Sequence, residues 1–325
     1  MRPAPDRVVS TGGGFRAGQA RSRGAGSRSR ARGVVITNGP RLASAQGRGF
    51  PATNRRRPAC PDSGGRDAGE TVQTGTEDEM KVEGSVALVT GANRGIGTAF
   101  VQGLLQRGAK KVYAAARDVG ALKELAASDP RVIALPLDVT NDAQARAAAE
   151  RAQDLTLLIN NAGVAGMQGA LSAPDLSVAR EEMEVNYFGV LRMSRMFAPI
   201  LARAGGGAIV NVLSMLSLVT LPAAGTYSAS KAAALALTRS LRAELKRQGT
   251  AVIAVLPVQV DTAMGQGLPE PRLKPEDVAL DTLDGVERGT EEVFPGALTR
   301  NVVDAFAADP KAVQAHLSAM LPAVN

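Results

Sequence analysis

From Ser85 onward the chain alternates short apolar runs with longer stretches whose apolar residues recur at helical spacing. "SVALVT" (85–90), "KVYAAA" (111–116), "RVIALPL" (131–137), "LTLLIN" (155–160), "GAIVNVLS" (207–214) and "TAVIAVLP" (250–257) read as six buried strands. Most are near-continuous apolar runs, the pattern of parallel strands covered on both faces. Between them lie helical stretches at 95–108, 141–153, 175–203 and 227–248. The alternation predicts an α/β fold, a doubly wound parallel sheet in three layers. In such sheets ligands gather beyond the carboxyl ends of the strands. Leu237, Leu241 and Leu245, four residues apart, read as a core or subunit-packing stripe. The segment 263–295, containing "AMGQGLPEPRLKPEDVA", reads as a mobile lid with Gly and Pro joints.

Before Ser85 the pattern is different. Residues 1–79 are rich in Gly, Arg, Ser and Pro, without apolar periodicity, and "RSRGAGSRSRARG" cannot bury a core. The favoured reading is a disordered extension, or upstream sequence preceding a natural start at Met80. A transit peptide and an RNA-binding arm are the alternatives. The domain boundary is therefore set at 79/80, with one domain over 80–325.

Charge sharpens that boundary. The net charge is +7, yet residues 1–79 hold 14 arginines, no lysine and 7 acidic residues. Residues 80–325 hold 24 basic and 24 acidic residues, so the folded part carries no net field to attract nucleic acid. The single cysteine, Cys60, permits no intrachain disulfide and suits a reducing, cytoplasmic setting. One Cys and one His, His316, leave no donor set for a His- or Cys-based metal site. His316 reads as a surface residue of a terminal helix. No run of about 18 apolar residues is present, so no membrane-spanning helix is expected.

The first strand runs directly into "TGANRGIG", Thr90 to Gly97, with glycines at Gly91, Gly95 and Gly97. Glycines there allow a tight turn and close approach of backbone to a pyrophosphate, which the next helix meets with its N-terminal N–H groups. The second strand ends in "AAARD". An acidic residue at that place favours NAD, and a nearby Arg favours the 2′-phosphate of NADP. Here Ala116 and Arg117 stand there, and Arg94 lies in the glycine loop. Two guanidiniums suit a phosphate through forked hydrogen bonds, so NADP is expected ahead of NAD. Asp118 is the residue that could neutralise Arg117.

A proton carrier must be found without histidine. Tyr227 and Lys231 in "YSASK" are four apart, on one helix face. An ammonium on that side favours the phenolate, whose free pKa is near 10. Either residue alone would read as ordinary surface or helix-start chemistry. Their occurrence behind a cofactor loop makes them a candidate acid–base pair.

In order along the chain stand "TGANRGIG", "LDVT" (137–140), "NNAG" (160–163), Asn186 in "EVNYFG", Ser214 in "IVNVLS" and "YSASK" (227–231). With these motifs the chain resembles the short-chain dehydrogenase/reductases, in their shorter single-domain branch, over about residues 81–325. The resemblance implies a Rossmann-type fold, a nicotinamide cofactor and a catalytic tetrad Asn186, Ser214, Tyr227 and Lys231. Ser214 would hydrogen-bond the substrate oxygen, and Asn186 would hold a water linking Lys231 to solvent. The implied cofactor set is Gly91, Asn93, Arg94, Gly95, Ile96, Gly97, Arg117, Asp138, Val139, Asn160, Ala162, Gly163, Tyr227, Lys231, Val260 and Thr262. Asp138 would bond the adenine amino group. Asn160, Ala162 and Gly163 would form a wall beside the adenine ribose.

One departure stands out. Val258 occupies the usual glycine position after the sixth strand, and valine resists positive φ. It leaves open a second reading, a catalytically impaired cofactor-binding module. The expected substrate is a small carbonyl or alcohol with an apolar body, from Leu213, Met215, Leu216, Leu218 and Met167. The family also implies pairing of its long helices into a homodimer or homotetramer.

Overall fold

Apolar residues on both sides of each strand require two helical layers to cover them, and the fold supplies both. The computed structural model describes residues 80–322, so the reading of residues 1–79 lies outside the described residues. Strands β1 (Val86–Thr90), β2 (Lys111–Ala116), β3 (Val132–Pro136), β4 (Leu157–Asn160), β5 (Gly207–Val212), β6 (Thr250–Val255) and β7 (Glu292–Val293) form one sheet. Its order is β3-β2-β1-β4-β5-β6-β7, and every pairing is parallel. The chain reverses direction across the sheet between β1 and β4, which opens a crevice at their carboxyl ends.

Alternation along the strands divides the core. Ala87, Val89, Leu157 and Ile159 face one layer, with Phe100 and Leu104 of α1 (Gly95–Gln106) and Leu283 of α7 (Pro275–Glu287). Leu88 and Leu158 face the other. That layer contains α3 (Asp142–Arg151), Met193, Phe197 and Leu201 of α5 (Val190–Arg203), and Leu241 and Leu245 of α6 (Gly225–Leu245). The packing-stripe reading of the α6 leucines therefore holds. The remaining helices are α2 (Lys123–Ser128), α4 (Ser177–Met183), α8 (Gly296–Ala308) and α9 (Pro310–Ser318). His316 is exposed on α9.

Two expectations change. The segment 263–295 is not a lid throughout: its second half is α7, packed against α1, followed by β7 on the sheet edge. Pro275 at the first turn, with Glu276 and Asp277, starts the helix, and buried Val278, Ala279, Leu283 and Val286 hold it to the core. The stretch 175–203 is also not a uniform helix. Between α4 and α5 the backbone widens into a π-helical segment, Glu184–Gly189, with Asn186 inside it.

A buried polar chain ties α6 to the sheet. Asn160 Nδ2 donates to Asn211 Oδ1 at 2.9 Å, Asn211 Nδ2 to Thr238 Oγ1 at 3.0 Å, and Thr238 Oγ1 to the Ala234 carbonyl at 2.7 Å. Inside a low-dielectric core such a chain fixes the register of the helix that carries Tyr227 and Lys231.

Candidate active site

The glycine loop owes its shape to contacts that exclude side chains. Gly91 and Gly95 take φ of 66° and 53°. A Cβ on Gly97 would stand 2.1 Å from the Gly91 carbonyl oxygen, so α1 begins hard against the loop. No side chain caps α1, and its first turn holds no acidic residue. Its N–H groups and positive dipole end are thus left for an anion, and a pyrophosphate fits this cradle. Thr90 and Asn161 lock the "NNAG" loop to it. Thr90 Oγ1 accepts from the N–H groups of Asn161 and Ala162 at 2.9 and 3.0 Å, and Asn161 Nδ2 donates to the Thr90 carbonyl at 2.9 Å. Neither residue was among the expected site residues, although both lie inside the motifs. Thr262 closes the other side, its Cγ2 2.9 Å from where a Gly95 Cβ would be.

Arg94 and Arg117 are exposed, as is Asn93, and neither guanidinium enters an ion pair among the described residues. Asp118 does not neutralise Arg117; its Oδ1 turns back to accept from Gly120 N–H at 2.8 Å. The carboxylate that senses Arg117 is Asp138. Burial pushes Asp138 up, but hydrogen bonds from Thr140 and the charges of Arg117 and Arg192 outweigh this and hold it below the usual range. Arg117, Asp138, Thr140, Arg180 and Phe188 help line an open cavity of about 700 Å³. It lies beside the second strand, away from Tyr227.

Four expected cofactor residues have their side chains elsewhere. Asn160 bonds Asn211 within the sheet. Val139 and Val260 are buried in the core, and Ile96 is half-buried against it. Only their main chains could meet a ligand. Gly163 lies where a Cβ would be 3.2 Å from Asn186 Oδ1 and 3.5 Å from Lys231 Nζ, so the loop rests on the two most buried of the four residues expected to form a tetrad.

Asn186 is fully buried and fully engaged. Its Oδ1 accepts from Val164 N–H at 3.0 Å, and its Nδ2 donates to the Val164 carbonyl at 2.9 Å and to Ser230 Oγ at 3.0 Å. With both amide donors held by protein, the side chain braces the loop. Lys231, also buried, donates from Nζ to the Val212 carbonyl at 2.9 Å and lies 5.8 Å from the Tyr227 ring centre. Ser214 lies two residues past the end of β5, half-exposed, its Oγ accepting from Leu216 N–H at 3.1 Å.

Electrostatics in this arrangement run against the expected acidic phenol. Burial pushes Tyr227 up to about 12; Ser214 beside it pulls down, and the charge of Glu182 raises it again. Burial brings Lys231 down to about 8. The protein's own groups therefore hold the pair as a neutral phenol and a weakened ammonium.

Val258 removes its own difficulty. Met167 is the only non-glycine residue with positive φ among those described, so the bend after β6 does not use the left-handed region. Val258 packs half-buried between two core clusters instead. Leu213 and Met215 also belong to the core, leaving Leu216 and Leu218 as the partly exposed apolar groups next to Ser214 in the chain, while Met167 is exposed on the loop after "NNAG".

Residues 85–272 match the family described as short chain dehydrogenase. The chain belongs to the short-chain dehydrogenase/reductase family. It is 41% identical over 192 residues to the short-chain dehydrogenase PC-15 of Penicillium crustosum, covering 57% of this chain and 69% of that one. It is 38% identical over 205 residues to a 1-deoxy-11-beta-hydroxypentalenate dehydrogenase of Streptomyces avermitilis, covering 59% and 75%. Among solved structures, a short chain dehydrogenase from Burkholderia cenocepacia in complex with NADP superposes with a TM-score of 0.70. The two are 47% identical, over 73% of this chain and 99% of that one. A short chain dehydrogenase/reductase from Burkholderia phymatum in complex with NAD gives 0.64 at 27% identity, over 72% and 96%. As a member of this family the chain is an oxidoreductase with a nucleotide-binding Rossmann fold. Among the described residues no helix is long and apolar enough to cross a membrane.

Proposed function

We propose that this short-chain dehydrogenase/reductase interconverts a carbonyl and an alcohol with NADP(H), using Tyr227 as the acid and base. The observation that carries the reading is the meeting of Ser214, Tyr227 and Lys231 at the carboxyl end of β5, beside the "NNAG" loop. When bound, the nicotinamide cofactor supplies the hydride to the carbonyl carbon. Ser214 then orients the carbonyl oxygen, and the Tyr227 hydroxyl gives its proton to that oxygen. The Lys231 ammonium stabilises the resulting phenolate by charge until solvent returns the proton to Tyr227. The high proton affinity of Tyr227 in the protein alone suits a donor kept protonated until a cation lies beside it. The Gly91–Gly97 loop and the α1 N-terminus would hold the pyrophosphate, and the main chains of Asn160, Ala162 and Gly163 the ribose side. Turnover of a carbonyl panel with NADPH tests the activity; no cofactor oxidation with any member would remove it.

The preference for NADP rests on Arg94 and Arg117, two exposed guanidiniums beside the second strand's end. Arg117→Ala is expected to weaken NADPH binding roughly ten- to hundredfold, by the loss of one charge-assisted contact worth about 1.5–3 kcal/mol. NADH affinity should change little. Equal affinities for the two cofactors in the parent protein would remove the preference.

The proposed assembly is a homodimer or homotetramer of closed symmetry. Leu176 and Phe188, exposed at 62% and 44% beside the π-helical segment, support an interface there. Light scattering at micromolar concentration should give a multiple of the chain mass; a monomer would count against it. A small-molecule substrate with an apolar body, and a reducing compartment, complete the reading.

A further inference from the structure

Glu182 lies one helical turn before Asn186, is 1% exposed, and has no cationic partner among the described residues. Burying a carboxylate is costly unless its hydrogen bonds repay it. Its Oε1 accepts from Gly166 N–H at 2.8 Å, while Oε2 is buried without a partner. The hydride-transfer reading uses this residue only through its charge on Tyr227, and not through its contact with Gly166.

The surrounding contacts explain its place. Val178, Glu182 and Asn186 recur every four residues on one side of the helix, facing the loop that follows "NNAG". Asn186 holds Val164 through both backbone groups, and Glu182 holds Gly166, two residues further on. One helical turn advances about as far as two extended residues, so the helix grips the loop in register. The grip is close. A Cβ on Gly166 would lie 2.1 Å from Val178 Cγ1, so only glycine lets the loop lie on α4. The next residue, Met167, takes φ of 49°, a conformation that costs a side-chain-bearing residue free energy and persists only when its surroundings over-determine it. After it, the Gln168 carbonyl accepts from Gly225 N–H at 3.1 Å, which ties the loop to the start of the Tyr227 helix.

We propose that Glu182 is a positioning residue of the active site, acting through Gly166 to fix the 164–168 loop and hold Met167 at the lip of the substrate pocket. The inference rests on the carbonyl-reduction reading for its kinetic consequence, but not for its structural one.

The test compares Glu182→Leu with Glu182→Gln in the full chain. Glutamine keeps an acceptor oxygen for Gly166 N–H; leucine does not. Glu182→Leu should raise KM for the best carbonyl of the panel about tenfold or more, with kcat changed much less and NADPH affinity unchanged. Amide hydrogen exchange at Gly166 should accelerate about tenfold or more. Glu182→Gln should restore both readouts towards the parent. A Glu182→Leu protein with parental exchange at Gly166, or a glutamine variant as impaired as leucine, would overturn the proposal. Should Glu182→Leu fail to fold, Gly166→Ala reads the same contact from the loop side. Its methyl would meet Val178, KM should rise, and Val178→Ala in the same chain should bring it back; no recovery would overturn the proposal. Absence of carbonyl turnover in the parent would sink the proposed activity alone, since exchange at Gly166 still decides the role of Glu182.

Discussion

Replacing Tyr227 by phenylalanine is expected to cut turnover by roughly 10²- to 10⁴-fold, the usual cost of losing a positioned general acid. The ring and its packing against the half-exposed start of α6 remain, and only the transferable proton goes. NADPH affinity should therefore stay near the parental value. The oxidation direction adds a second check. Burial and Glu182 keep the phenol protonated, up to about 12 in the protein alone. A basic limb well below that value in the parent's oxidation profile would report the charge added by the oxidised cofactor. A Tyr227→Phe protein that turned over at near-parental rate would exclude Tyr227 as the proton donor.

Lys231→Met should damage the enzyme in two ways that Tyr227→Phe does not. Turnover should fall by at least about 10²-fold as the proton relay loses its charge. NADPH affinity should fall roughly ten- to hundredfold, because the same ammonium is expected to reach the nicotinamide ribose. The substitution also has a signature in stability against pH. Burial brings Lys231 down to about 8 in the folded chain, from the ordinary lysine value of 10.5 that an unfolded chain restores. Between those values the unfolded chain binds more protons, so stability gains on the order of 3 kcal/mol as pH rises from about 8 to 10. Tyr227 acts in the opposite sense above pH 10, where the folded phenol keeps its proton and the unfolded one does not, so stability falls again. Urea midpoints across this range should rise and then fall in the parent, and Lys231→Met should abolish the rise. A rise that survived the substitution would show that Lys231 is not the titrating group.

Much of the architecture was legible because its signals are local. Each of the six strands from Val86 to Val255 is a short apolar run whose neighbours reverse hydropathy, and the structure leaves one unchanged and trims the others by one or two residues. The glycine spacing in "TGANRGIG" and the four-residue step from Tyr227 to Lys231 are likewise fixed by backbone geometry within a few residues. Strand β7 was missed because two residues, Glu292 and Val293, carry no period; the sheet edge beside Ala254 and Val255 makes them a strand. Helix α7 was hidden by the Gly and Pro residues before it, although its apolar spacing was present.

The chemistry of the site depended on contacts between distant parts of the chain. Nothing around Asn160 announces that its amide reaches Asn211, 51 residues on, and nothing around Asn186 announces Val164 or Ser230. Val258 looked like an obstacle because the sequence names a residue and not its φ; the folded bend leaves it unstrained. The sequence by itself determined the layers, the order of motifs and the four-residue step that makes Tyr227 and Lys231 a candidate acid–base pair. Tertiary structure alone decided the environment of that pair. It buried Lys231 against the Val212 carbonyl, put the charge of Glu182 where Tyr227 feels it, and so set proton affinities opposite to those that helical spacing predicts. The reason is physical: spacing along a helix fixes direction, whereas a pKa is set by the solvent and charges excluded or admitted by every element packed around the group.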